Sequence, residues 1–90
     1  MNRVIITVVG KDTVGIIAGI CTYLASHGIN ILDISQTILQ GIFNMMMIVD
    51  VSKADISFDE LSDGLDAVGE EKGVNIKCQR EEIFTSMHRV

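Results

Sequence analysis

Hydrophobic and polar positions divide this chain into six segments with hardly any linker between them. Arg3 to Val9 is a nearly continuous β-branched run, the pattern of a central strand buried on both faces. From Val14 the period becomes helical, with Ile17, Ile20, Cys21 and Leu24 at i, i+3, i+4 and i+7. Asp12 or Thr13 can cap the start of that helix, and Gly28 can end it in a left-handed conformation. Ile29 to Leu39 then alternates as a strand, Gln40-Gly41 supplies a turn, and Ile42 to Val51 is a second strand, so the pair predicts a hairpin. Ser57-Phe58-Asp59-Glu60 reads as a capping box opening a second helix, with an apolar stripe of Leu61, Leu65 and Val68 and an end at Gly73. Val74 to Gln79 alternates as a last strand.

The order is therefore βαββαβ. This predicts an α+β, ferredoxin-like sandwich: a four-stranded antiparallel sheet with two helices on one face. The pleat of the third strand sends Phe43, Met45, Met47, Val49 and Val51 to the core. It sends Ile42, Asn44, Met46, Ile48 and Asp50 to the helix-free face, where the apolar members make a patch that suits an interface or a covering segment. Such a sheet also leaves two unpaired edges open to assembly. Residues 1–82 form one domain. Residues 83–90 form a C-terminal tail whose Ile83, Met87 and Val90 can share a helical face, so it is expected to dock on its own sheet or on a neighbouring chain.

Composition narrows the function. Ninety residues support a single core, and 48% hydrophobic with 21% charged residues argues against disorder. Twelve acidic against seven basic residues give a net charge of −5, which would repel a phosphate backbone. With three Phe, one Tyr and no Trp there is no base-stacking platform either, so no nucleic-acid partner is expected. The N-terminal apolar run is too short to span a bilayer and has no cleavage site, so neither a membrane nor a secretory context is expected. Cys21 and Cys78 lie far apart in no metal-ligand spacing and read as reduced core residues of a cytoplasmic protein.

Chemical groups are few. Gly10-Lys11-Asp12-Thr13-Val14-Gly15 has the glycine spacing of a phosphate cradle, but Ile16-Ile17 follows where Lys and Ser/Thr are needed. The same loop lacks the arginine that an acylphosphatase-like enzyme would use to hold phosphate. His27 and His88 have no nucleophile arrangement around them and read as helix-end or surface residues. No catalytic residue, metal site or cofactor is implied.

What remains is the stretch from Gly10 to Ile20 followed by Gly28-Ile29-Asn30-Ile31. It resembles the ACT domain family, in which a short polar loop leads to a glycine opening the first helix and the second strand begins Gly-x-Asn-Ile. Gly15 and Asn30 occupy those two places, and the resemblance covers residues 3 to 82. The chain is most similar to small free-standing bacterial ACT proteins, an uncharacterised group, and is also similar to the regulatory repressor of the glycine cleavage system. It departs from the common family pattern in having Thr13-Val14 where Arg-Pro often precedes the glycine, and Asp12 where an asparagine is frequent.

The resemblance implies a non-catalytic, homodimeric or higher homo-oligomeric regulator that binds an amino acid or similar metabolite between subunits and passes occupancy to a regulated protein partner. On that reading, the amides of Val14, Gly15, Ile16 and Ile17 would meet a ligand carboxylate at the helix N-terminus. Asn30 would contact both ends of a zwitterion, and Asp12 would accept its ammonium. Each residue also has a plain structural role open to it. Asp12 can cap the helix, Asn30 can satisfy backbone at the strand start, and Gly15 can serve helix–sheet packing. A ligand-free protein–protein interaction module is the alternative function, and an acylphosphatase-like enzyme is a third.

Overall fold

The computed structural model describes residues 2–11 and 14–81; Met1, Asp12, Thr13 and residues 82–90, which include the C-terminal tail, lie outside the described residues. The elements are β1 (Arg3–Lys11), α1 (Ile16–Ser26), β2 (Asn30–Leu39), β3 (Ile42–Asp50), α2 (Phe58–Lys72) and β4 (Val74–Arg80). The strands form one sheet in the order β2-β3-β1-β4, with every pairing antiparallel. This is the ferredoxin-like arrangement expected from the order of periods.

The core lies between one sheet face and the two helices. Val4, Ile6 and Val8 of β1 and Phe43, Met45, Met47 and Val49 of β3 meet Ile16, Ile20 and Leu24 of α1 and Leu61 and Leu65 of α2. Met47 and Val49 are wholly excluded from solvent, as the pleat of β3 demands. The buried line of α1 is Ile16–Ile20–Leu24, with Ile17 and Cys21 half-buried beside it, so the stripe is turned by one residue from the predicted one. On α2, Gly69 completes the buried line of Leu61 and Leu65, while Val68 packs half-buried against the core. A side chain at Gly69 would meet the carbonyl of Val74, so glycine lets α2 settle onto β4.

Turn chemistry sets the boundaries. Ser57 caps α2 by accepting the Glu60 amide at 3.2 Å, while the Glu60 carboxylate accepts the Ser57 amide at 3.0 Å. Gly73 ends the helix at φ 73°. The β2–β3 hairpin turns on Gln40 and Gly41, both at positive φ, the two-residue form whose twist suits antiparallel strands.

β1 is central but not buried throughout on both faces. Ile5 is buried on the helix-free side, whereas Val9 is 48% exposed between Asn44 and Asn75, whose short polar side chains give it no apolar cover. β2 departs further from expectation. A bulge between Ile31 and Asp33 shifts its register, and Ile34 and Ile38 then share the helix-side face with Met47 and Phe43. They remain 41% and 54% exposed, because the helices leave this outer strip of sheet uncovered.

Candidate functional site

The chain leaves β1 at Lys11 and enters α1 through Gly15, whose φ of 87° lies in the left-handed region that glycine takes without strain. The cap position therefore falls on Gly15 and not on Asp12 or Thr13, and it brings no side-chain hydrogen bond. The first helical bond runs from the Gly19 amide to the Gly15 carbonyl at 2.9 Å. The amides of Ile16 and Ile17 precede that bond, so no helical carbonyl accepts them. The first turn carries no acidic residue, so the positive end of the helix dipole is left without a compensating charge on its own helix. Val14 is 97% exposed just before the cap.

Lys72, which sequence reasoning passed over, adds a cation here. It is the last residue of α2, and its Nζ lies 3.5 Å from where a Cβ of Gly15 would stand. Its Cε lies 2.9 Å from the corresponding point on Gly19, so the absence of side chains at both glycines lets the lysine lie across the start of α1. Its ammonium also makes a loose pair with Glu71 at 3.7 Å. The signal was present in the sequence: Lys72 is the sole basic residue of α2, and Gly15 and Gly19 are spaced to clear one helix face. Helix dipole and lysine together make this corner of the acidic chain attractive to an anion.

Asn30 is elsewhere. It is the exposed first residue of β2, opposite Asp50, which in turn faces Arg3 at the start of β1. Gly10 and Lys11 face Phe43 and Ile42 at the other end of the same sheet. The eleven residues of α1 separate the two places by about 16 Å, so the chain by itself does not bring Asn30 to Gly15. Near Asn30, the carboxyl of Asp50 is held below its usual range by the hydroxyl and then the amide of Ser52.

The other conspicuous polar groups are structural. His27 closes α1, and its Nδ1 lies 2.8 Å from Asp55 Oδ1; the carboxylate can only accept, so the ring donates. The Asp55 amide donates to the His27 carbonyl at 3.2 Å, tying the end of α1 to the loop before α2. Cys21 and Cys78 are free thiols, and burial, more than any neighbour, raises the pKa of Cys78. Among the described residues there is no group of three metal-ligating side chains and no helix long and apolar enough to cross a membrane.

Comparison with known proteins decides the family. An ACT domain model matches residues 2–79. The chain belongs to the ACT domain family. A UPF0237 protein of Bifidobacterium longum is 62% identical over 90 residues, covering all of both chains. An ACT domain protein from Streptococcus pneumoniae superposes with a TM-score of 0.81 at 43% identity, over 92% of this chain and 93% of that one. A protein named for the transcriptional repressor of the glycine cleavage system shares the fold at a TM-score of 0.74 and 21% identity, over 88% of this chain and 45% of that one. The match to an ACT domain thus spans both the glycine that opens α1 and the asparagine that opens β2, although the two stand at opposite ends of the sheet.

Proposed function

We propose that this ACT protein is a non-catalytic cytoplasmic regulator, a homodimer that senses an amino acid or similar metabolite between its subunits. The observation that carries the reading is the separation of Gly15 from Asn30, with the bare β2 edge running between their two ends of the sheet. Antiparallel pairing of two β2 strands about a two-fold axis would set Asn30 of the partner subunit opposite Leu39. Leu39 faces Ile42, which faces Lys11, so that asparagine arrives at the end of the sheet where Gly15 opens α1. Two equivalent half-sites would each be completed by the other chain.

Edge chemistry supports β2 over β4. β2 has ten residues with Asp33 as its one charge, and it exposes Leu32, Ile34, Ile38 and Leu39. β4 is shorter and carries Lys77 and Arg80, the kind of charge that guards an edge against pairing. In the completed site, the ligand carboxylate would meet the Val14, Gly15, Ile16 and Ile17 amides and Lys72. Asp12 would receive the ammonium, and Asn30 of the partner subunit would bridge the two ends. Occupancy then favours one arrangement of the dimer, which a regulated protein partner can read.

A thermal-shift screen of the amino acids at millimolar concentration, read beside light scattering, tests this. The expected result is a dimer stabilised by at least one amino acid, with the shift lost in Asn30→Ala. A monomer that responds to none of them overturns the reading. The alternative, a ligand-free interaction module, has its own support in Val9, Ile42 and Met46, exposed together on the helix-free face. A dimer that binds no small molecule but retains a protein partner would favour it.

A further inference from the structure

A cavity of about 510 Å³ lies at the end of the sheet opposite Gly15. Its walls come from the start of β1, the loop after β3, the first turn of α2 and the end of β4. Val51, Ala54, Ile56 and Phe58 give it a half-buried apolar floor. Two arginines stand at its rim, and they are not equivalent. Arg3 is committed to Glu81 at 3.3 Å, which neutralises both. The Arg80 guanidinium instead sits over the Phe58 ring, its Cζ 4.6 Å from the ring centre, and no acidic side chain among the described residues pairs with it.

We propose that this cavity binds a small carboxylate with an apolar body, the carboxylate on Arg80 and the body against Phe58, Ile56 and Ala54. The volume falls within the range of small-molecule sites. The cation–π contact with Phe58 holds the guanidinium at the rim, and with no ion pair to an acidic side chain among the described residues its fork of N–H donors can take a carboxylate bidentately. Because Glu81 offsets Arg3, the lining side chains keep one net positive charge on a chain that is otherwise acidic, which favours an anion over a cation. A neutral apolar molecule would leave Arg80 unanswered, and a purely polar anion would gain nothing from the floor. None of the residues of the interface site lines this cavity, although Asn30 stands at the same end of the sheet.

Octanoate and its uncharged analogue octanol are suitable probes, titrated into the full chain and followed residue by residue by NMR. Octanoate is expected to move the amide signals of Ala54, Ile56 and Phe58 saturably, and octanol to bind at least about 10-fold more weakly. Arg80→Gln should lower octanoate affinity by about the same 10-fold while leaving that of octanol unchanged. Ala54→Leu, which fills the floor and keeps Arg80, should abolish binding of both. Three results overturn the proposal: equal affinity in Arg80→Gln, shifts confined to residues around Gly15, or through-space contacts from Phe84 to Phe58 in the free protein. The last would mean that the chain's own tail fills the cavity.

Discussion

The hydroxyl of Tyr23 on α1 stands where a side chain at Gly64 on α2 would begin. The two helices therefore approach at a point that only glycine fits. The phenol is partly withdrawn from water there, and burial first, then the carboxylates of Glu60, Asp55 and Asp63, push its pKa up. In an exposed helix, alanine would be favoured over glycine by about 1 kcal/mol. Here overpacking costs about 1–3 kcal/mol and forces Tyr23 or the helix to move. Gly64→Ala should lower unfolding free energy in urea, with an unchanged slope against denaturant.

Gly19 faces a softer neighbour, the stem of Lys72. Gly19→Ala should be neutral or stabilising by up to about 1 kcal/mol, since the lysine can swing away and the helix gains propensity. Ligand affinity should nevertheless fall, because the ammonium leaves the start of α1. Calorimetry with any amino acid found by the thermal screen, beside a melt of the free protein, separates the two effects.

Assembly through β2 is testable at Ile38, which is 54% exposed and adds little to the core of the subunit. Ile38→Lys should leave the circular dichroism spectrum intact and convert the proposed dimer to a 9.8 kDa monomer by light scattering. A dimer persisting in this variant would move the interface to another surface.

The capping box of α2 predicts acid sensitivity. The amide of Ser57, followed by its hydroxyl, holds the Glu60 carboxyl below its usual range. A depressed carboxyl adds stability above its unfolded pKa, near pH 4, and loses it as the pH falls through the lower folded value. Asp50, held by Ser52, has the same sign. At the alkaline end, Cys78 and Tyr23 are both raised, so the unfolded chain gives up its protons first and stability falls as the pH climbs above about 9. Ser57→Ala should cost about 1 kcal/mol near neutrality, whereas Glu60→Gln, which removes the titrating carboxyl, should flatten the acid limb of a melting-temperature profile.

The hairpin turn holds a residue that can be improved. Gln40 sits at φ 52°, a conformation asparagine accepts more readily than glutamine. Gln40→Asn, next to Gly41, should raise stability by a few tenths of a kcal/mol and leave every other property unchanged.

Much of this protein was legible in residue order alone. The β-branched run of β1, the strict alternation of β3, the Ser57–Glu60 box and the glycines at 28, 41 and 73 are local signals. Each acts within a few residues, so periodicity and turn chemistry suffice to place the elements and name the fold. The Gly15 and Asn30 motifs, also local, led to the ACT family. What local pattern could not supply was distance. Lys72 is remote in sequence from Gly15 and reaches it only because α2 ends beside the start of α1. Gly15 and Asn30 are close in sequence, yet a full helix holds them apart. The exposed strip of β2 likewise depends on where the helices stop, and the cavity beside Arg80 on four chain segments meeting. Secondary structure follows from neighbours along the chain, whereas sites depend on neighbours across it, and only packing decides those.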